Sequence, residues 1–175
     1  AQQVEDVVRL VMEKHTSCIP VVDKELKVKA LVTERDLLPK NTGDLKVKVS
    51  SAMVSNVISA TPGMMIGDAS KIMVRNRLRR LPVVSEGHLM GVVTALDILS
   101  FLAGGEYKGV HSRENLSTRV EEVMEREIAS FSPNQDLGEV SAAVWETGLG
   151  GFPVQEGGRL KGIVTVTDIL RHAYS

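Results

Sequence analysis

The sequence is poor in the residues that anchor several functional classes. It holds one cysteine, Cys18, which cannot close an internal disulfide, and no second thiol stands near a histidine at metal-ligand spacing; a reducing compartment, by default the cytoplasm, is expected. Aromatic residues make up 3% of the chain, with the single tryptophan Trp145, which leaves few platforms for stacking single-stranded nucleic acid. The formal net charge is −1, so no global field favours nucleic acid or an anionic membrane, and neither is expected as a partner. No apolar run is long enough to span a bilayer, and the amino terminus Ala1-Gln2-Gln3-Val4-Glu5-Asp6 lacks the basic-then-apolar order of a signal peptide, so a soluble chain is expected.

Catalytic signatures are missing as well. No nucleophile sits beside a base, no paired carboxylates mark a pocket, and His15, His88, His111 and His172 are scattered and share no repeat position; the chain does not read as an enzyme. Gly148-Leu149-Gly150-Gly151 lies after a helical pattern and before a strand, the reverse of the order a dinucleotide fingerprint requires. Asn115-Leu116-Ser117 is a formal glycosylation triplet that carries no weight in a cytoplasmic chain.

What is present is repetition. With 43% hydrophobic residues in 175, the chain can build the cores of one larger domain or two to three small ones. Val49 to Ala103 aligns with Val120 to Tyr174 at a constant offset of 71, without a gap: Met53 falls on Met124, Pro62 on Pro133, Gly67 on Gly138, Pro82-Val83 on Pro153-Val154, Gly91 on Gly162, Thr94 on Thr165 and Asp97 on Asp168. A further copy, Val4 to Leu38, follows at an offset of 62 from the central one, with Pro20-Val21 on Pro82-Val83, and of 61 beyond its turn, with Asp36 on Asp97. It lacks the opening segment seen at Met53 to Pro62, and its turn Asp23-Lys24-Glu25 carries one extra residue, as turns tolerate. The expected division is a partial repeat at 1–38, repeats at 49–103 and 120–175, and a linker at 104–119 that holds Tyr107, His111 and Arg113.

Within the central copy, Asn56 to Ala60 is a short β-prone run closed by Thr61-Pro62-Gly63, and Ile66, Ala69, Ile72 and Met73 recur at helical spacing. Leu81 to Val84, a Glu86-Gly87 turn and Leu89 to Thr94 signal a hairpin, and Ala95 to Leu102 continues as a helix. Each complete copy therefore predicts β-α-β-β-α, an α+β fold. A unit of this size buries too little surface to stand alone, so copies should pair.

The segments Gly91-Val92-Val93-Thr94-Ala95-Leu96-Asp97 and Gly162-Ile163-Val164-Thr165-Val166-Thr167-Asp168, together with Arg80-Leu81-Pro82-Val83 and Met53-Val54, resemble the signature of the cystathionine β-synthase (CBS) domain family. Ala30-Leu31-Val32-Thr33-Glu34-Arg35-Asp36 matches it except for the glycine. The resemblance implies tandem repeats packed sheet to sheet as a pseudo-twofold module, with clefts that commonly bind adenine nucleotides or S-adenosyl compounds. It also implies that two modules often join as a homodimeric disk. The regulatory ligand would be AMP, ADP, ATP or an S-adenosylmethionine-like molecule, with no obligatory cofactor and a separate effector protein as the reader. By that resemblance the contacts would be Ile58, Ala60, Arg80, Leu81, Pro82, Thr94 and Asp97 in the central copy and Ile128, Phe131, Phe152, Pro153, Thr165 and Asp168 in the last. Thr33 and Asp36 stand at the matching positions of the first copy, whose cleft needs a partner segment.

The chemistry of those residue types is coherent with a nucleotide. Thr94 ends a strand and opens a helix, so its hydroxyl and nearby backbone N–H groups can meet a phosphate, while an ionised Asp accepts hydrogen bonds only and suits a ribose diol. Phe152 offers a ring to stack on a base. Arg75, Arg77, Arg79 and Arg80 cluster in the central copy, where the last copy has Gly148, Gly150 and Gly151, so the two clefts should differ. The same Thr and Asp also fit plain helix caps, and the arginines fit a solvated helix end. The alternative function is then a ligand-free scaffold for dimerisation or docking.

Overall fold

A computed structural model describes residues 3–14, 16–39, 45–103 and 115–174. His15, and with it Tyr107, His111 and Arg113 of the expected linker, lie outside the described residues. The described elements are α1 (Val4–Lys14), β1 (Cys18–Val22), β2 (Val28–Thr33), a 3-10 turn (Arg35–Leu37), α2 (Val49–Ala52), α3 (Ile66–Asn76), β3 (Arg80–Ser85), β4 (His88–Thr94), α4 (Ala95–Ala103), α5 (Val120–Val123), α6 (Leu137–Thr147), β5 (Gly151–Glu156), β6 (Arg159–Thr165) and α7 (Val166–Ala173). Two compact units result: Ala1–Val54 with Phe131–Val154 and Ile163–Ser175, and Ser55–Ser130 with Gln155–Gly162.

The second unit is built on the β3–β4 hairpin. Its turn residues Glu86 and Gly87 have φ of 51° and 82°, the paired left-handed conformations that match the twist of antiparallel strands. Beside β3, the expected first strand contracts to one parallel bridge between Ala60 and Val83, made by Ala60 N–H donating to Pro82 O (2.9 Å) and Val84 N–H donating to Ala60 O (2.8 Å). Pairing stops there because Pro62, two residues on, has no amide to give. Helix α3 follows with Ile66, Ala69 and Met73 buried along one stripe, the spacing of a helix packed on a sheet. It closes at Arg77, whose φ of 55° puts an arginine in the left-handed C-cap conformation that glycine occupies most cheaply.

The first unit shares one core between the first and last copies. Val8 and Val11 of α1, with Leu37 and Leu38, belong to the same buried cluster as Val140 and Val144 of α6, Phe152 of β5 and Ile169 and Leu170 of α7. The hydroxyl of Tyr174 donates to Leu37 O at 2.9 Å, and Arg35 Nη2 donates to the carbonyl of Gly148 at the end of α6. The sequence pattern, which joins the two complete copies into a module, gives no sign of this shared core.

The opening turns of the two complete copies are exchanged. In the first unit, Val49 and Ser50 donate to Gln135 O and Pro133 O, both at 2.9 Å, and Leu137 donates to Val47 O at 2.8 Å. In the second unit, Val120 and Glu121 donate to Met64 O (2.8 Å) and Pro62 O (3.1 Å), and Ile66 donates to Thr118 O at 2.9 Å. Each bond of one set maps onto a bond of the other at the offset of 71. The exchange also explains a glycine. In the second unit Val92 bridges Glu125, and a Cβ on Gly91 would lie 2.5 Å from the Glu125 carbonyl oxygen. The first copy receives no such segment among the described residues, and there Ala30 is exposed; its departure from the repeated pattern costs nothing.

Candidate functional site

In the central copy, the β3–β4 register sets Arg80 opposite Thr94 and Leu81 opposite Val93. Thr94 is the hinge between β4 and α4. Its N–H and its hydroxyl both donate to Asp97 Oδ2 at 2.7 Å, and Asp97 N–H donates back to Thr94 Oγ1 at 3.1 Å. The hydroxyl proton expected to meet a phosphate is therefore engaged by the carboxylate, and the pair forms a reciprocal helix cap. Asp97 stays half-buried, and its second oxygen takes no hydrogen bond from a described residue. Arg80 is half-buried too. Burial, and after it the neighbouring Arg79 charge, pushes its pKa down from the ordinary guanidinium value. Ala60, Leu81 and Pro82 are buried in the wall behind it, whereas Ile58 is 42% exposed.

The last copy repeats the cap and alters everything around it. Thr165 N–H and Oγ1 donate to Asp168 Oδ2 at 2.9 and 2.7 Å. Asp168, however, is only 4% exposed, and its other oxygen pairs with Arg171 Nη1 at 3.2 Å. That arginine replaces Ser100 of the central copy. Opposite Thr165, the position of Arg80 is taken by Gly151, where a Cβ would lie 2.8 Å from Val164 O and 3.1 Å from Thr165 Cα; no side chain fits. Phe152 is 1% exposed and packs edge-to-face on Phe131, with ring centroids 5.2 Å apart. This is a core contact, and it removes the ring that the sequence offers for stacking. Pro153 is buried beside it and accepts Phe131 N–H at 3.0 Å, while Ile128 falls in the other compact unit.

The first copy has the cap alone. Thr33 N–H and Oγ1 donate to Asp36 Oδ2 at 2.8 and 2.6 Å, and the hydroxyl bond, followed by the amide bond, holds the Asp36 carboxyl below its ordinary pKa. Both residues are exposed, and no opening strand lies beside β1 among the described residues.

The structure thus gathers Arg80, Thr94 and Asp97 at one end of a hairpin, with Ala60, Leu81 and Pro82 behind them, and does not assemble an equivalent set in the last copy. Arg171 was the residue to notice in the sequence: an Asp and an Arg three apart on a helix face each other. Among the described residues no group of His, Cys, Asp or Glu is placed to hold a metal ion, and no helix is long and apolar enough to cross a membrane.

Hairpins each closed by a Thr–Asp cap, recurring in register along one chain, define a tandem CBS-domain protein. The chain belongs to the CBS domain family, which it matches over residues 2–40, 49–104 and 120–175. It is 32% identical over 177 residues to MJ1225 of Methanocaldococcus jannaschii, spanning 97% of this chain and 63% of that protein. The crystal structure of MJ1225, presented as a candidate archaeal homolog of g-AMPK, superposes with a TM-score of 0.91 at 30% identity over 98% of this chain and 64% of that one. The CBS domain pair of MJ0100, solved in complex with 5'-methylthioadenosine and S-adenosyl-L-methionine, gives a TM-score of 0.61 at 27% identity over 73% of this chain and 99% of that one. The inosine-5'-monophosphate dehydrogenase of Thermoplasma acidophilum is 39% identical over 92 residues, which make up 52% of this chain and 18% of the enzyme. That likeness is confined to the CBS portion and supplies no catalytic residue here.

Proposed function

We propose that this chain is a regulatory ligand-sensing module of the cytoplasm that binds an adenosyl ligand in its central repeat, residues 49–103, and passes occupancy to an effector protein. The observation that carries this reading is the trio at the end of the β3–β4 hairpin: a partly desolvated Arg80 across from Thr94, and a half-buried Asp97 with one carboxylate oxygen held by the cap. In this reading Asp97 Oδ1 accepts the ribose hydroxyls, Arg80 takes a phosphate or carboxylate, and exposed Ile58 covers the base. The adenosyl complexes of MJ0100 support the ligand class. The ligand acts by population shift: it binds one conformation better than another and moves the equilibrium by that difference.

The caps favour a second reading in one respect. The same Thr–Asp bonds form in all three copies, including the first, so these residues stabilise helix starts without any ligand, as a scaffold would require. A thermal-shift panel of AMP, ADP, ATP, S-adenosylmethionine, methylthioadenosine and GMP separates the two, because a ligand that binds only the folded state raises the melting temperature. The sensor reading expects a selective rise with adenosyl ligands that Asp97→Ala removes. A flat panel, confirmed by calorimetry, leaves the scaffold.

A further inference from the structure

The two complete repeats carry the same helical face in two states. In the central repeat Ser70 and Val74 of α3 and Leu96 and Leu99 of α4 lie on it, spaced as neighbours on a helix surface, and Val74, Leu96 and Leu99 are 79%, 70% and 61% exposed. At the offset of 71 these positions become Ser141 and Trp145 of α6 and Thr167 and Leu170 of α7, of which Ser141 and Leu170 are 0% exposed. The first copy covers them. It brings Val8, Val11, Leu37 and Leu38 into the core that holds Leu170, and Thr167 Oγ1 donates to Glu34 Oε1 at 3.5 Å.

The comparison separates what this cover does from what the repeat does alone. The central repeat keeps Ile66, Ala69 and Met73 buried while its face stands bare, so a repeat of this kind holds its own core uncovered. Leu137, Val140 and Val144 are the matching residues of the last repeat. The cover also strands a polar group. Ser70 is half-buried and its hydroxyl donates to Ile66 O at 2.8 Å, whereas the fully buried Ser141 hydroxyl has no hydrogen-bond partner. A buried hydroxyl left unpaired loses its hydration without replacement, so docking of the first copy carries a penalty that the bare face escapes. Little else holds that copy down. Its strands β1 and β2 form a sheet of their own, with Val21, Val22, Val28 and Leu31 exposed, and among the described residues no backbone–backbone hydrogen bond joins residues 4–38 to the last repeat.

We propose that the first copy, residues 4–38, is an intramolecular cover that lifts off the last repeat as a unit while the other helices and hairpins stay folded. Lifting it uncovers on α6 and α7 the face that the central repeat displays on α3 and α4. The device is a conformational switch: closed, the chain shows one such face, and open, it shows two. A segment joined to its neighbour by side chains alone, with its own backbone pairing complete, is the kind of unit that opens below the global unfolding free energy. The inference is independent of adenosyl binding, since none of Arg80, Thr94 and Asp97 takes part.

The test is thiol labelling at two adjacent positions in a Cys18→Ser background, which removes the exposed native thiol. Val140 and Ser141 are both 0% exposed, but their central counterparts part company: Ala69 stays fully buried in the bare repeat and Ser70 does not. Lifting the cover therefore exposes position 141 and leaves position 140 sealed. Under native conditions Ser141→Cys is expected to react with an aromatic disulfide reagent about tenfold faster than Val140→Cys, or more, and in denaturing urea the two should react alike. Hydrogen exchange of the unsubstituted chain gives a second reading: below the global urea transition, amides of α1 should exchange about tenfold faster than those of β5 and β6, or more. Equal labelling of the two thiols under native conditions, or exchange of α1 in step with β5 and β6 at every urea concentration, would overturn the proposal and make the first copy a fixed part of the core.

Discussion

The central and last repeats share a register of 71 residues and a nearly identical cap, and differ in what surrounds it. In the central copy a cation stands across the hairpin from Thr94 and the carboxylate keeps one oxygen clear of described partners. In the last copy the cation has moved to the carboxylate, as Arg171, and a glycine that admits no side chain stands across the hairpin. The lesson is that the signature residues Thr and Asp report a helix start, and the residues three positions downstream and directly across the hairpin differ between the copies, so that one carboxylate keeps an oxygen clear of described partners and the other is paired within the fold.

The largest expected effect separates the two carboxylates. Asp97→Ala should weaken adenosyl ligand binding by about tenfold to a hundredfold, the weight of hydrogen bonds to a charged acceptor, whereas Asp168→Ala should leave binding within twofold and instead lower stability by about 0.5–2 kcal/mol through loss of a cap. Calorimetric titration beside chemical denaturation reads both, and the reverse pattern would break the comparison. Next in size is the repeated glycine: Gly91→Ala pushes a Cβ against the Glu125 carbonyl and should cost about 1–3 kcal/mol by overpacking, while Ala30→Gly in the exposed hairpin should cost no more than about 1 kcal/mol. Equal losses in urea melts would show that the exchanged segment does not set the requirement.

A smaller effect is expected where α3 and α6 end. Arg77 occupies the left-handed conformation that Gly148 occupies in the last copy, so Arg77→Gly should stabilise by up to about 1 kcal/mol and Gly148→Ala should destabilise by a similar amount. The smallest effect belongs to the first copy. The Asp36 carboxyl is held below its ordinary pKa by Thr33, so the stability it adds is fully present above the unfolded carboxyl's pKa and is lost as pH falls through the lowered folded value. The Thr33 amide resonance should follow that titration, and Asp36→Asn should flatten it.

Much of this was open to reading in the sequence, because it is local. The hairpin turns, the helical stripe of Ile66, Ala69 and Met73, and the Thr–Asp spacing all follow from residues a few positions apart. The exchange of opening turns did not show, since its bonds are made by backbone amides such as Val49 and Val120 that carry no side-chain signal. Nor did the contraction of the first strand to a single bridge at Ala60 or Phe131: β-propensity does not reveal how soon a proline will end the pairing. The burial of Phe152 did not show either, because an aromatic in a binding motif and an aromatic in a core have the same sequence appearance. Its partner Phe131 lies 21 residues away, and only the fold brings the rings together.

The exchanged turns also fix an order of events on the ribosome. The buried cluster of the second unit runs from Ala60 to Met124 and is complete once α5 has emerged. The cluster of the first unit begins at Val8 and closes only with Leu170, so α1 and its apolar hairpin wait until α7 has been synthesised. A part made early is therefore a part that folds late.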